Sequence, residues 1–291
     1  MLKPRTRHGF TLAEIVVTLV LGAIVLGLVS SIGSRLQRRL AVESEHVVAR
    51  DQLASAAEVL PIDLRGLSPG DGDIAPGEAR DSSIQIRATL ANAIVCGGSP
   101  STLTLATYLA AGGRFIAPSV QDGDTAWLLS ATDTSDVWLP VRLRGVHRAT
   151  TACSFADANA SRVFDVAHPW AADLRDSILV LSRTVMRITR PLRFSFYRAA
   201  DSRWYLGLRT WNGASRQFNT IQPISGPFAP AGDRGTRFEY FDALGNHVSS
   251  GALDTRAIAR LEGVLVTDAS AGVAAAVRES VVVVVALRNR R

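Results

Sequence analysis

A single carboxylate, Glu14, stands inside the most apolar stretch of the sequence. Residues 10–33 read FTLAEIVVTLVLGAIVLGLVSSIG and carry no other charge. A carboxylate inside an apolar membrane helix costs about 2.5 to 3.5 kcal/mol on insertion scales, and such acids are functional sites by default. We therefore predict a functional role for Glu14; the alternative is that its side chain extends to the nearby membrane interface.

Arginines supply nearly all of the positive charge. Lys3 is the single lysine among 32 Lys and Arg residues. A phosphate-loop NTPase needs a lysine on the phosphates, and Schiff-base enzymes need an amine that can lose its proton, which arginine cannot do near neutral pH. Because Lys3 lies too close to the start of the chain for either role, these enzyme classes are excluded.

One stretch of the sequence interleaves arginines with aromatic residues. Aromatic rings that stack on bases and arginines that bind phosphates would make a polyanion patch. A β-hairpin with an inward aromatic face and arginines turned to water or to acidic neighbours in the filament predicts the same alternation, and we favour it. The arginines are Arg187, Arg190, Arg193, Arg198, Arg203, Arg209 and Arg216, and the aromatic residues are Phe194, Phe196, Tyr197, Trp204, Tyr205 and Trp211.

The start of the apolar stretch carries a specific motif. A short leader with Lys3, Arg5 and Arg7 and no acid precedes GFTLAE at residues 9–14. This arrangement resembles the class III signal of type IV prepilins and type II secretion pseudopilins. The apolar stretch is too long for an ordinary cleaved signal peptide, and no small-x-small cleavage site follows it.

The resemblance implies roles for Gly9, Phe10 and Glu14. In that family a membrane aspartyl peptidase cuts after the glycine on the cytoplasmic side and methylates the new terminal amine, which here would belong to Phe10. Glu14 would be the fifth mature residue and would pair with the α-amine of Phe10 in a neighbouring subunit. Such a pair offsets two charges that would each be costly alone in an apolar filament core.

A long helix is predicted to carry the motif. Residues 10–33 would extend about 36 Å, more than the roughly 30 Å of a bilayer's hydrocarbon, and form the transmembrane half. Residues 34–60 form an amphipathic half, which we expect to end before Pro61. Its apolar stripe recurs at spacings of three and four residues and consists of Val42, His46, Ala49, Leu53, Ala56 and Leu60.

A β-rich globular head is predicted over residues 61–291, behind a leader at 1–9 and the helix at 10–60. Residues 61–82 are rich in Pro, Gly and Asp and predict a loop. The fold class is therefore α+β, with the long helix packed on a mostly antiparallel head, which is also the pilin architecture. The predicted strands are 83–89, 102–108, 126–132, 137–145, 178–184, 192–198, 204–210, 237–241, 261–267 and 280–287.

The head itself shows a looser resemblance. FSFYRAADSRWYLGLRT at 194–210 and FEYFDALGN at 238–246 look like hairpins of PilW-type minor pilins or J-type minor pseudopilins. Cys96 and Cys153 fall in the part that the resemblance implies is exported. Thiols in an oxidising compartment usually pair, so a disulfide is predicted, with two separate buried thiols as the alternative.

Catalytic and metal sites find little support. The histidines show no HExxH spacing, no GxSxG elbow is present, and two cysteines cannot make a structural zinc site alone. Asp71 with Asp73, and Asp122 with Asp124, lie in glycine loops that lack a full calcium pattern, so we predict turn residues there. We expect no enzymatic activity, no metal and no cofactor.

The expected function is structural. The resemblance implies a minor pilin or pseudopilin, anchored by one span in the inner membrane, with its head in the periplasm or exported space, and assembled at or near the tip of a type IV pilus or type II secretion pseudopilus. Its expected partners are prepilin peptidase, other minor and major pilins or pseudopilins and the inner-membrane assembly platform; nucleic acid is a weaker expectation. The alternative is a permanently membrane-anchored periplasmic binding protein, with DNA binding in uptake as one form.

Overall fold

One long helix and a head of antiparallel strands make up the described chain, which confirms the α+β prediction. A computed structural model describes residues 12–99, 102–106, 108–109, 113–114, 120–131, 136–147, 162–166, 184–232, 234–267 and 278–287. The chain divides into two compact units. The first contains Met1–Asp51 and Ala269–Arg278, and the second contains Gln52–Asp268 and Glu279–Arg291.

Helix α1 spans Leu12–Leu64 and contributes to both units. In the second unit its buried residues lie three and four apart, at Leu53, Ala56, Leu60 and Leu64. This spacing places them on one face of the helix, which packs into the head core. The predicted stripe is confirmed for Leu53, Ala56 and Leu60, and it continues to Leu64.

The predicted end of the helix before Pro61 is wrong. The helix continues for one more turn, and the amide of Arg65 donates to the carbonyl oxygen of Pro61 at 3.1 Å. Proline removes one backbone donor but leaves the following turn free to form. Because Leu60 and Leu64 are both fully buried, their packing holds that last turn in place.

Sixteen strands are present in the described residues. They are β1 (Ile74–Ala79), β2 (Ser83–Ser99), β3 (Thr102–Ala106), β4 (Tyr108–Leu109), β5 (Gly113–Arg114), β6 (Thr125–Ala131), β7 (Asp136–His147), β8 (Arg162–Val166), β9 (Val185–Arg198), β10 (Trp204–Asn212), β11 (Gln217–Phe218), β12 (Gln222–Phe228), β13 (Arg237–Phe241), β14 (His247–Val248), β15 (Arg260–Val266) and β16 (Ser280–Ala286).

Most predicted strands are confirmed, but the loop predicted at 61–82 contains β1. Its sequence, IAPGEA, holds a proline and a glycine and lacks alternation, and β1 pairs only with β2 at the edge of its sheet, where proline is tolerated. Strands β5, β8, β11, β12 and β14 were also not predicted, and β12 has two prolines. The strand predicted at 178–184 falls almost entirely outside the described residues, and β9 begins just after it.

The larger sheet closes on itself. Its strand order is β1-β2-β3-β8-β7-β6-β9-β10-β11, with β12 on β10 and an additional pairing of β2 with β9. The six strands β2, β3, β8, β7, β6 and β9 therefore form a closed antiparallel barrel. The remaining parts of β2 and β9 extend beyond it and pair with β1 and β10.

Two separate hydrophobic cores fill the head. The barrel core lies between the six barrel strands, and we call the other part, which buries α1, the helix-backed lobe. The barrel core consists of Ala91, Ala93, Val95, Leu103, Leu105, Ala126, Leu128, Val141, Leu143, Met186 and Ile188.

A second sheet, in the order β14-β13-β15-β16, completes the helix-backed lobe. Gly263 of β15 faces the helix so closely that a Cβ there would lie 3.3 Å from Leu60 Cδ1. Strand β16 is the sheet edge, and it carries five consecutive valines, of which Val282 and Val284 are about half exposed at 49% and 52%.

The contact between helix and head sets the stability of the second unit. Replacing the fully buried Leu60 with alanine is expected to cost about 2 to 5 kcal/mol of unfolding free energy, because a cavity opens against β15. Ile62 is 73% exposed, so Ile62→Ala is the matched control and should change stability by less than about 0.5 kcal/mol. Urea unfolding followed by tryptophan fluorescence measures both, and equal costs would contradict the assigned face.

Candidate functional site

The acid singled out in the apolar stretch lies in the first turn of α1. A carboxylate there is favoured by the partial positive charge of the helix N-terminus. One turn later the hydroxyl of Thr18 donates to the carbonyl oxygens of Glu14 at 2.9 Å and Ile15 at 2.8 Å, so this polar side chain is satisfied within the helix. Gly9 and Phe10 lie outside the described residues, and their roles stay predictions.

The apolar surface of α1 is bare in the single chain. An 18-residue window reaches a mean hydropathy of 2.7 with none of it buried, and Leu12 is 83% exposed. Among the described residues this is the one helix long and apolar enough to cross a membrane. A core helix of a soluble protein would bury such a surface, because leaving apolar area in water costs about 25 cal/mol per Å².

The predicted arginine patch is divided by the fold. Arg187 donates to Asp73 at 2.6 Å and to the hydroxyl of Thr89 at 2.7 Å. Asp73 is only 2% exposed and also accepts from the amide of Ser68 at 2.7 Å. The guanidinium of Arg187 therefore serves as the counter-charge of a buried carboxylate.

Two further arginines of the predicted patch bind carboxylates. Arg190 makes a bidentate pair with buried Asp124 at 2.6 and 2.7 Å, and Arg193 pairs with Glu78. Arg198, Arg203, Arg209 and Arg216 remain on the exposed surface. The first three arginines thus pair with carboxylates of the same chain, whereas the alternative placed acidic neighbours in other subunits of the filament. Nucleic-acid binding stays an untested prediction for the exposed arginines.

The aromatic residues of the same stretch also divide between two environments. Phe194 and Phe196 are buried, and the ring of Phe196 stacks on Phe238 with 4.7 Å between centroids. Tyr197 and Tyr205 are half-buried, and their ring centroids lie 6.2 Å apart. The inward aromatic face of the predicted hairpin is therefore present for the phenylalanines.

The sequence did not predict Arg87, Glu78 or the pairing of Asp73 and Asp124 with arginines. Arg87 lies 4.2 Å above the ring of Trp127 and 3.9 Å from Asp73, and burial lowers the pKa of its guanidinium while Asp73 opposes that shift. Asp73 and Arg187 are separated by 114 positions. No local spacing could have brought them together.

The remaining predicted residues are the aspartates of the glycine loops and the two cysteines. Asp73 and Asp124 bind arginines, and Asp71 accepts from the hydroxyl of Ser68 at 2.7 Å. Within the described ranges no group of three or more His, Cys, Asp or Glu side chains could hold a metal ion. Cys96 lies in β2, but Cys153 lies outside the described residues, so their disulfide stays a prediction.

Comparison with known proteins places one similarity at the N-terminus. Residues 4–30 match the family model described as the prokaryotic N-terminal methylation motif. With the apolar helix, this match fits a type IV prepilin-like class III signal. No curated protein and no solved structure is significantly similar to the chain. The motif implies processing by prepilin peptidase and assembly as a pilin in general terms.

The buried ion pair of Asp73 with Arg187 predicts a large loss of stability when the charge of Asp73 is removed. Asp73→Asn removes the negative charge between Arg87 and Arg187, and we expect a loss of about 3 to 5 kcal/mol of unfolding free energy, because a partner of a buried pair is removed. The control is Asp122→Asn, at an exposed position of another loop, which should stay within about 0.5 kcal/mol. Urea titration of both variants measures the difference; a small loss for Asp73→Asn would show that the pair is not a structural support.

Proposed function

We propose that the chain is a minor pilin or pseudopilin, a structural subunit cut after Gly9 and assembled at or near the tip of a type IV pilus or type II secretion pseudopilus. One observation carries the proposal: the methylation motif at residues 4–30 includes the first part of a bare apolar helix, which has a single acid in its first turn. A subunit of this kind needs no catalytic site, and we propose no enzymatic activity.

The proposed location follows from where the cut must occur. The peptidase of this family acts on the cytoplasmic side of the inner membrane, so the leader would lie in the cytoplasm and the head in the periplasm or exported space. Lys3, Arg5 and Arg7 precede the span, but Arg35, Arg38 and Arg39 follow it, so charge bias alone does not set the orientation. The processing motif therefore carries this part of the proposal.

The proposed place near the tip rests on the head. A subunit repeated along a shaft must accept the same neighbours on every side, whereas a minor subunit can carry additional structure. The head holds two separate cores, one of which buries α1 and one of which does not. This additional volume favours a minor subunit over a repeating one.

The assembly chemistry would be an ion pair in an apolar environment. The amine of Phe10 in one subunit would meet Glu14 of its neighbour, and each charge alone would be penalised by several kcal/mol in a filament core. The pair would thus set the register of the incoming subunit. The bare apolar surface of α1 would then pack against neighbouring helices.

Amine labelling tests the cut directly. Because Lys3 is the single lysine, removal of residues 1–9 leaves the α-amine of Phe10 as the only amine of the chain. An amine-reactive ester followed by mass spectrometry should label the precursor at Met1 and Lys3, the unmethylated mature form once, and the methylated form weakly. Lysine labelling that persists in assembled material would contradict the processing. A chain that keeps Lys3 and is found only in the membrane would favour a permanently anchored binding protein.

Replacement of Glu14 separates processing from assembly. Glu14→Ala should still be cut after Gly9, but its recovery in filaments should fall about tenfold or more, which corresponds to a loss of at least about 1.4 kcal/mol of pairing free energy. Ser31→Ala is the matched control in the same helix, since its hydroxyl bonds only within the helix. Both variants are compared by immunoblots of sheared filaments, and normal recovery of Glu14→Ala would refute the pairing.

A further inference from the structure

The two cores of the head are separated along the sequence. Every residue of the helix-backed core lies within 53–88 or 192–287, whereas every buried residue of the barrel core lies within 91–188. No residue that the structure describes belongs to both cores. The described residues of the barrel core therefore fall within one continuous segment, whose two ends lie side by side where β2 pairs with β9.

At the junction between the helix-backed lobe and the barrel, β2 and β9 form an antiparallel pair. Thr89 of β2 lies directly opposite Thr189 of β9, and Asn92 lies opposite Arg187. On the side of the helix-backed lobe the same two strands pair from Ser83 with Ser195 onwards. Without the barrel, β2 and β9 would be neighbouring strands of an ordinary hairpin, whose ends a two-residue turn could join.

Ion pairs fix the barrel at this junction. Arg187 reaches Asp73 on the helix-backed side, and Arg190 reaches Asp124 at the start of β6 on the barrel side. Next to this pair, a Cβ on Gly213 would lie 1.9 Å from the carbonyl oxygen of Asp122, so the turn before β6 rests directly on the end of β10. The barrel is thus held by contacts at its base rather than by a shared core.

The buried residues of α1 do not belong to the barrel core. They are Leu53, Ala56, Leu60 and Leu64, and all belong to the helix-backed core. The second sheet, which packs on Leu60 through Gly263, belongs to that core as well. Among the described residues, the buried contacts that tie α1 to the head therefore come from outside 91–188.

We propose that the barrel is an inserted module that takes no part in assembly, and that α1 with the helix-backed lobe suffices for processing and for incorporation into the filament. The barrel then serves the subunit's task outside assembly, while the lobe on which it stands performs the filament contacts. This inference rests on the proposed function, because it divides that function between two parts of one head.

A deletion in the full chain tests the division. In this variant the dipeptide Asn-Gly replaces residues 93–186. It joins Asn92 to Arg187, which lie opposite each other, by a favoured hairpin turn, and the ion pair of Arg187 with Asp73 is retained. Cleavage after Gly9 and recovery in sheared filaments are measured beside the full-length chain. We expect recovery within about twofold of the full-length chain, whereas a stable, cleaved variant that is absent from filaments would overturn the inference.

Two point variants keep the test decisive if the shortened chain is degraded. Leu128 and Leu60 are both fully buried, the first in the barrel core and the second in the helix-backed core. Leu128→Ala should leave filament recovery within about twofold, while Leu60→Ala should reduce it severalfold. Equal reduction in both variants would overturn the division. Failure of the full-length chain itself to be cut or incorporated would instead refute the proposed function.

Discussion

The pairing of strand β9 is the constraint on which the rest of the head depends. One of its edges follows β2 from Val185 to Ser195, and the other pairs first with β6 and then with β10. Pro191 stands where the second partner changes, a position at which β9 has left β6 and has not yet paired with β10. Both cores form on this strand, because its inward residues change from Met186 and Ile188 to Phe194 and Phe196.

Helix α1 meets two different demands with one backbone. Its apolar window presents hydrophobic side chains in all directions, as lipid or a helical bundle requires. From Leu53 onwards one face is buried, as packing on a sheet requires, while Ile62 on another face is exposed. The change from one pattern to the other is visible in the sequence, and it explains how a single helix can serve both as an anchor and as part of a globular core.

The helix and the hairpins could be predicted because their signals are local. The period of Leu53, Ala56 and Leu60 and the alternation in 204–210 and 237–241 depend on neighbours within a few residues. The closure of the barrel depends on pairing β2 with β9, about a hundred positions apart, and no local pattern encodes it. The same holds for Asp73 and Asp124, whose turn sequences say nothing about the arginines they bind. Strands β1 and β12 escaped prediction because their prolines interrupt the alternation.

Strand β16 leaves an apolar sheet edge open to pairing with other chains. It combines five valines, no charge and no proline with a position at the edge of its sheet, whereas the barrel strands close their ladder. Such a segment is the kind that recruits other chains into cross-β aggregates. On the same face, the pairs Arg260 with Glu262 and Arg237 with Glu239 place charges beside the valines and act as gatekeepers against stacking. The edge that β16 leaves open is therefore flanked by the charges of the two strands beside it in the sheet.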